Sequence, residues 1–342
     1  MRACPSDGQP PFPLAGDEAP SLLTRDLGIG SFEAMAATKP STKSLSGIKR
    51  TLLESVRAAG KILLTFFGQV TNPRQKGIPS SVVCDADLAS ERDILRRIRT
   101  RFPRDNIVSE ESGCTWGSTE FTWVVDPLDG TSNFVAGLPW FGVQIGVLFR
   151  AKPIIAAMYL PVGDVLYFTQ AGQGVTRNGK SVAVTTETNL QNALCAFGFD
   201  PTPGRRNRQA MELLLRVSGA VRNTRATNSL VDFCYTVDGR LGGCINLKTK
   251  IWDIVPVALI LPEAGGKFTD LAGEDIVFRL DGKVMDRDYA VLGASRPLHS
   301  KLLRALSTPP RRMTQDSECE KQMKVAKQGI RRYRNTLRKL AK

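Results

Sequence analysis

The feature that most constrains the fold is a series of short apolar segments in the middle of the chain. They cover residues 142–149, 154–160, 165–169 and 181–184. Residues that favour turns separate them, and Asn178-Gly179 is a strong signal for a two-residue hairpin turn. The pattern predicts an antiparallel β-meander before residue 185.

Two amphipathic helices are predicted before this meander. After Ser46, apolar residues recur every three or four positions, and this first helix ends at Gly68. A second helix is predicted over residues 87–101. Beyond the meander, strand-like and helix-like runs alternate, which is typical of helices that cover the faces of a sheet. The predicted organisation is an α+β domain over residues 47–308, with halves at 47–185 and 186–308.

The two ends of the chain differ from this domain. Residues 1–46 are rich in Pro, Gly, Ser, Thr and Asp without periodicity, which predicts a disordered extension. Residues 309–342 contain eleven basic and three acidic side chains, more than half of the chain's net charge of +14. A 3-4 apolar spacing within 321–342 predicts a basic amphipathic helix. This tail could contact nucleic acid or a partner, and packing of its apolar stripe on the body or on another tail is the alternative.

Composition excludes several classes of protein. No apolar run approaches the ~20 residues that span a bilayer, so we expect no membrane span. The seven cysteines are scattered without a CxxC pair, which indicates reduced thiols and a cytoplasmic location. The single histidine, His299, excludes histidine triads and multi-histidine metal sites. We expect it near the start of a surface helix, solvated or capping. Chemistry must then depend on carboxylates, hydroxyls, cations or a metal.

The most informative segment reads Trp-Val-Val-Asp-Pro-Leu-Asp-Gly-Thr-Ser-Asn-Phe. Asp126 and Asp129 follow a β-prone run, where both carboxylates and the Leu128 carbonyl can point at one Mg²⁺. The backbone N–H groups of Gly130 and Thr131 open a predicted helix and suit a phosphate oxygen. Metal-assisted phosphoryl transfer needs a metal site and an anion site this close together. The same spacing also fits two aspartates that cap a turn.

Two further acidic segments bear on this choice. Glu110 and Glu111 are adjacent at the end of a predicted strand, where they repel unless a cation neutralises them or they diverge into solvent. Asp253 follows Trp252 at the start of a strongly apolar helix, and an ordinary N-cap is the alternative for it. The chain therefore has three separate acidic segments, at 110–111, 126–129 and 253, and one predicted anion site at Gly130 and Thr131.

Taken together, these segments resemble the signatures of the inositol monophosphatase family. The matching motifs are Glu110-Glu111, Asp-Pro-Leu-Asp-Gly-Thr-x-Asn-Phe over 126–134 and Trp-Asp…Glu-Ala-Gly-Gly over 252–266. They follow the family's order within residues 47–305, and the similarity includes Lys76 and the run from Val83 to Glu91. The motifs are specific for the superfamily of lithium-sensitive, Mg²⁺-dependent sugar and inositol phosphatases, and much less specific for substrate.

The resemblance implies a fold and a metal site. The fold would be the layered αβαβα sugar-phosphatase fold, with mixed and antiparallel sheets and the active site between the two halves. Two or three Mg²⁺ ions would be held by Glu110, Asp126, the Leu128 carbonyl, Asp129 and Asp253. Many relatives are homodimers, so the resemblance allows a homodimer.

The resemblance also implies roles around the metal. Gly130 and Thr131 would bind the phosphate. Asp87 and the Thr131 hydroxyl would orient the attacking water, with Glu110 and its ion activating it. Lys76 and Glu111 would support the ligands from behind.

The chain departs from the family pattern at two positions. Cys84 stands where the family usually has Thr, which weakens a supporting hydrogen bond. Asn246 stands where members that hydrolyse inositol phosphates place a Glu for the sugar hydroxyls. Lys248, Lys250 and Arg225 could approach the leaving group and favour a second negative charge; an ordinary basic surface is the alternative.

The sequence thus predicts a Mg²⁺-dependent phosphomonoesterase that acts on a small polyol or sugar phosphate such as inositol monophosphate. Fructose 1,6-bisphosphate, histidinol phosphate and a 3′,5′-bisphosphonucleotide are alternative substrates for the same chemistry. A different class of function also stays open, in which the domain is a scaffold and residues 321–342 bind RNA or a protein partner.

Overall fold

The fold is given by a computed structural model that describes residue 40 and residues 42–69, 74–75, 82–200 and 205–308. The helices are α1 Thr42–Phe66, α2 Asp85–Arg101, α3 Thr131–Val135, α4 Arg205–Ala220, α5 Leu230–Val237, α6 Ile251–Glu263 and α7 Arg296–Ser307, with a 3₁₀ helix at Leu190–Asn192. The predictions for residues 1–39, Lys76 and the tail 309–342 lie outside the described residues. Because α1 begins at Thr42, the last residues of the predicted N-terminal extension are helical instead.

The strands form one large sheet, one small sheet and a separate pair. They are β1 Arg74–Gln75, β2 Val82–Val83, β3 Asn106–Ser109, β4 Gly113–Thr115, β5 Phe121–Asp129, β6 Gly142–Phe149, β7 Lys152–Leu160, β8 Val165–Gln170, β9 Val175–Arg177, β10 Lys180–Val182, β11 Leu194–Gly198, β12 Asn223–Arg225, β13 Gly243–Thr249, β14 Gly266–Asp270 and β15 Tyr289–Ser295.

The large sheet contains the predicted meander. Its order is β10-β9-β8-β7-β6-β5-β3-β4, and every neighbouring pair is antiparallel except β3 and β5. Asn178 and Gly179 have φ values of 50° and 78° and connect β9 to β10. Both values lie in the left-handed region that Asn-Gly hairpin turns require. The meander and its last turn are therefore confirmed.

The small sheet is mixed and lies in the second half of the chain. Its order is β12-β11-β13-β15-β14, with β11 parallel to both neighbours and β15 antiparallel to both of its own. Helices separate its strands in the sequence except between β14 and β15, which largely agrees with the predicted alternation of strand-like and helix-like runs.

Helices and sheets alternate as five layers. The helices α1 and α2 cover one face of the large sheet, α5 and α6 fill the space between the sheets, and α4 and α7 cover the outer side of the small sheet. Successive residues of a strand of the large sheet belong to different hydrophobic cores, one on each face of the sheet. Ala157 of β7 faces the core on the α1 side, and Met158 faces the core on the α6 side. The layered αβαβα fold is confirmed.

The helix α6 packs closely on the large sheet at Gly146 of β6. A Cβ atom at this position would lie 2.6 Å from Val255 Cγ1, so a larger residue would push helix and strand apart. Asp253 lies two residues before Val255, in the first turn of α6. Close packing at Gly146 therefore helps to fix Asp253 relative to the large sheet.

His299 corrects one expectation from the sequence. It lies in α7, as the pattern predicts, but its side chain is only 1% exposed. The face of α7 that carries it packs on the small sheet, where His299 Nε2 lies 2.9 Å from Thr269 Oγ1. The Thr269 hydroxyl donates to the Asp270 carbonyl, so the imidazole is the donor in this pair. The histidine is a buried structural residue rather than a solvated one.

We expect the stability of the protein to fall in mild acid because of His299. Burial, with a contribution from Lys267, lowers the pKa of His299 from 6.5 to about 4. Below pH 6.5 the unfolded chain therefore binds a proton at this imidazole, whereas the folded chain binds it only at about pH 4. The associated stability is complete above pH 6.5 and is reduced by about 2 kcal/mol at pH 5. The free energy of unfolding, determined by urea unfolding at pH 7.5 and at pH 5, measures this loss.

The matched control for this prediction is His299→Gln. Glutamine keeps a side-chain N–H donor for Thr269 and does not titrate in this range. The wild type should lose more stability than the variant between the two pH values. Equal losses would contradict the assignment.

The structure bears on two expectations from composition. Within the described ranges, no helix is long and apolar enough to cross a bilayer. The cysteines in those ranges are all free thiols, at positions 84, 114, 195, 234 and 244.

Candidate active site

The strand β5 ends in the two aspartates of the central motif. The pairing of β5 with β6 shifts register between Asp126 and Asp129, because Pro127 between them has no N–H to donate to the ladder. The backbone N–H of Leu128 donates to Asp126 Oδ1 at 3.1 Å instead. This local turn ends the regular strand and holds the first carboxylate.

The second half of the chain contributes the third aspartate. One carboxylate oxygen from each of Asp126, Asp129 and Asp253 lies within 4.8 Å of the others. The N–H of Lys250 donates to Asp253 Oδ2 at 2.6 Å, and the N–H of Leu230, the first residue of α5, donates to Asp129 Oδ1 at 2.7 Å. Backbone donors at the starts of two helices therefore hold two of the three carboxylates.

The remaining predicted ligands line the same cavity, which has a volume of about 140 Å³. Glu110 directly follows β3, and its N–H donates to the Val125 carbonyl at 3.2 Å. The Thr131 hydroxyl oxygen lies 3.0 Å from the Leu128 carbonyl oxygen. The cavity is lined by Glu110, Asp126, Leu128, Asp129, Gly130, Thr131, Asp200, Asn228, Ser229, Phe233, Asn246, Lys248 and Asp253.

Burial and mutual repulsion dominate the electrostatics of the carboxylates. Burial, together with the charges of Glu110 and Asp129, raises the pKa of Asp126 well above its usual range. Burial also raises the pKa of Asp129 to about 7, although the N–H of Leu230 opposes this shift. Burial and the charge of Asp129 raise the pKa of Asp253. A positive charge among these groups would relieve the repulsion that contributes to the raised pKa values of all three carboxyl groups.

The donor set fits a hard divalent cation. Among the described residues, no Lys or Arg forms an ion pair with Asp126, Asp129 or Asp253. The cluster offers oxygen atoms only, which Mg²⁺ prefers and soft metals do not. The acidic cluster can therefore hold a metal ion of this kind.

A second group of residues adjoins the carboxylates. The Thr131 hydroxyl lies 3.0 Å from Asp87 Oδ1, and both the N–H and the thiol of Cys84 donate to Asp87 Oδ2 at 2.8 Å. Burial raises the pKa of Asp87 to about 6, and the charge of Glu111 adds to the shift. Cys84 thus supplies the side-chain hydrogen bond expected of the usual Thr.

Gly130 has a conformation that requires glycine. Its φ of +86° lies in the left-handed region, and a Cβ atom there would lie 2.6 Å from the Trp140 carbonyl oxygen. Asn133 Nδ2 donates to that same carbonyl at 2.9 Å and to the Thr227 carbonyl at 2.8 Å. The turn that carries Gly130 and Thr131 is therefore held tightly against both halves.

The structure brings only part of the predicted substrate-binding set to the cavity. Asn246 and Lys248 line it, whereas Lys250 and Arg225 do not. Lys250 Nζ pairs with Asp288 at 2.8 Å, and Arg225 donates to the Thr224 carbonyl on the exposed edge strand β12. Glu111 is not among the lining residues either.

Four polar residues of the site were not predicted from the sequence, namely Gln144, Asp200, Asn228 and Ser229. Asp200 and Asn228 line the cavity, and Asn228 Nδ2 donates to Asp200 Oδ1 at 3.3 Å. Gln144 is fully buried and donates to Asp129 Oδ2 at 2.7 Å. The signal that could have revealed Gln144 is a polar residue in the middle of an otherwise apolar strand. Asp200 and Asn228 lie outside regular elements and gave no such signal.

A layered α+β fold with an all-oxygen carboxylate cluster and an adjacent hydroxyl–carboxylate pair is an arrangement that suits metal-assisted phosphoryl transfer. The profile of the inositol monophosphatase family matches residues 45–309. The chain belongs to this family and is a phosphatase.

Relatives with two kinds of name are similar to this chain. The chain is 35% identical over 226 residues to the fructose-1,6-bisphosphatase/inositol-1-monophosphatase of Aquifex aeolicus, covering 64% of this chain and 83% of the relative. It is 35% identical over 201 residues to the Nus factor SuhB of Vibrio cholerae, covering 58% and 75%. The inositol monophosphatase structure from Anabaena superposes with a TM-score of 0.66 at 28% identity, covering 78% of this chain and 98% of that one.

Proposed function

We propose that this phosphatase is Mg²⁺-dependent and hydrolyses the phosphate monoester of a small neutral polyol or sugar. The observation that carries the proposal is the cluster of Asp126, Asp129 and Asp253 oxygens within 4.8 Å, beside the Thr131–Asp87 pair. The family and the relative with a double inositol and fructose phosphatase name support the reaction class.

The carboxylates would hold two or three Mg²⁺ ions. The ligands are Glu110, Asp126, the Leu128 carbonyl, Asp129 and Asp253. When bound, Mg²⁺ would neutralise the phosphate, acidify the attacking water and stabilise the leaving alkoxide.

The chain's own groups would position the reactants. Asp87 accepts the Thr131 hydroxyl, so this pair can orient a water molecule and take up its proton at the Asp87 carboxylate. The raised pKa of Asp87 favours such proton uptake near neutral pH. The backbone of Gly130 and Thr131 would bind the phosphate oxygens, with the left-handed turn at Gly130 fixing their direction. Lys76 and Glu111 would support these groups.

The cavity wall favours a neutral leaving group. Its polar side chains beyond the predicted ligands and the Gly130–Thr131 turn include one cation, Lys248, one carboxylate, Asp200, and two amides, Asn228 and Asn246. Carboxylates accept hydrogen bonds from sugar hydroxyls, and amides both accept from them and donate to them. A carboxylate repels a second phosphate. Because Lys250 is engaged by Asp288, it adds little attraction for a doubly charged substrate.

Side-by-side kinetics test the substrate class. We expect kcat/KM for inositol 1-phosphate to exceed the values for fructose 1,6-bisphosphate and a 3′,5′-bisphosphonucleotide by about tenfold or more, since the second phosphate of these substrates meets Asp200. The matched variants are Lys248→Met and Lys250→Met. A wild type that prefers a bisphosphate would overturn the neutral-polyol proposal, and loss of that preference in Lys248→Met but not in Lys250→Met would assign it to Lys248.

A second role rests on charge and on relatives. The sequence of residues 321–342, which lie outside the described residues, predicts a basic amphipathic helix, and several relatives are named Nus factor SuhB. Nucleic-acid or partner contact through this tail would coexist with catalysis by residues 47–308, whose two halves meet at the site. On this proposal a chain without residues 309–342 keeps its turnover. We also propose that the chain forms a homodimer and that it is located in the cytoplasm.

A further inference from the structure

Gln144 of β6 lies directly opposite Asp126 of β5 in the antiparallel pairing of these two strands. Residues directly opposite each other in such a pair point to the same face of the sheet. The neighbouring Val143 and Ile145 belong to the core on the α1 side. Gln144 therefore occupies the opposite face, among the carboxylates, although the rest of its strand is apolar.

The amide of Gln144 contacts two predicted metal ligands at once. Its Nε2 donates to Asp129 Oδ2 at 2.7 Å and approaches Asp126 Oδ2 at 3.4 Å. The side chain is fully buried, so water does not compete for these contacts. A single neutral donor thus connects the carboxylates that begin and end the Asp-Pro-Leu-Asp turn.

The other end of the amide supports this orientation. Gln144 Oε1 is buried and has no hydrogen-bond partner among the described residues. An amide flip would place this oxygen against two carboxylates, which repel it. The buried oxygen therefore goes without a partner while the NH₂ group faces the aspartates, and burying such an oxygen costs free energy.

We propose that Gln144 is a positioning residue that holds Asp126 and Asp129 in the arrangement that binds the cation; this rests on the proposed function. Each contacted Oδ2 atom gives one lone pair to the amide and keeps another for a metal. The amide also brings two repelling carboxylates together without adding charge. Asp129 is fixed on its other oxygen by the Leu230 N–H, so Gln144 completes the restraint on that side chain.

The experiment measures Mg²⁺ binding to the metal-free full-length chain by titration calorimetry. Gln144→Leu keeps most of the volume and removes the donor, and it should weaken Mg²⁺ binding about tenfold or more, as loss of residues that orient metal ligands does. Turnover of Gln144→Leu should recover at saturating Mg²⁺, with KM for the phosphate ester near that of the wild type. The control, Thr169→Val, removes a buried polar group of β8 in the same sheet and should bind Mg²⁺ like the wild type.

The outcomes separate this inference from the proposed function. A wild type that binds no Mg²⁺ would overturn the proposed metal dependence. A wild type that binds Mg²⁺ while Gln144→Leu binds it equally well would overturn only the role of Gln144. Gln144→Met is the second variant, and failure of both to fold while Thr169→Val folds would show a role in folding and reject positioning.

Discussion

Asp129→Asn is expected to lower turnover about 10³-fold while the chain still folds. Asp129 lies at the centre of the cluster, where its oxygens accept both the Gln144 amide and the Leu230 N–H. An asparagine can keep one of these hydrogen bonds but cannot supply a charged ligand. Initial rates of phosphate release from inositol 1-phosphate, at saturating Mg²⁺, measure the loss.

The fold should survive because the substitution also removes a repulsion. Burial and nearby carboxylates raise the pKa of Asp129, so its charged form is unfavourable in the metal-free protein. We expect the metal-free variant to melt close to the wild type. Asp93→Asn is the matched control, since Asp93 pairs with Arg96 and Arg97 on α2 and does not line the cavity. Substantial turnover by Asp129→Asn would refute the assigned metal role.

Removal of Mg²⁺ is expected to have an equally large effect. Without a cation, the buried aspartates repel each other and no described Lys or Arg pairs with them. Metal-free protein should therefore release no phosphate above background. Added Mg²⁺ should also stabilise the fold, by about 2.7 kcal/mol at one hundred times the dissociation constant. Thermal unfolding with and without Mg²⁺ checks the second effect, and Asp129→Asn should show a smaller shift.

The site was largely predictable where its chemistry is local in sequence. Asp126, Leu128, Asp129, Gly130 and Thr131 belong to one strand end and the turn after it. Their spacing therefore already implied a shared point in space. Glu110 and Asp253 are different, because only the family resemblance connected them to that turn. The packing of β3 beside β5 and of α6 on Gly146 places them there.

Contacts that depend on register and side-chain direction could not be predicted. Gln144 meets Asp126 because of the pairing of β5 with β6, which no periodicity of β6 reveals. Lys250 lies two residues from Lys248, yet its side chain turns to Asp288 rather than the cavity. Asp200 reaches the cavity from a segment without regular structure.

The fold shows the same division. The turn residues Asn178 and Gly179 encode their own conformation, so the meander was predicted with its last hairpin. His299 was placed in a helix correctly but on the wrong face. Helical spacing defines a stripe, and only the packing of α7 on β14 and β15 determines that the histidine lies within the buried one.

The most direct test of the central claim is phosphate release from inositol 1-phosphate by metal-free full-length protein, before and after Mg²⁺ is restored. We expect no release without Mg²⁺ and rapid release after Mg²⁺ is restored. Release that persists in the presence of a chelator, or that does not return with Mg²⁺, would contradict this claim.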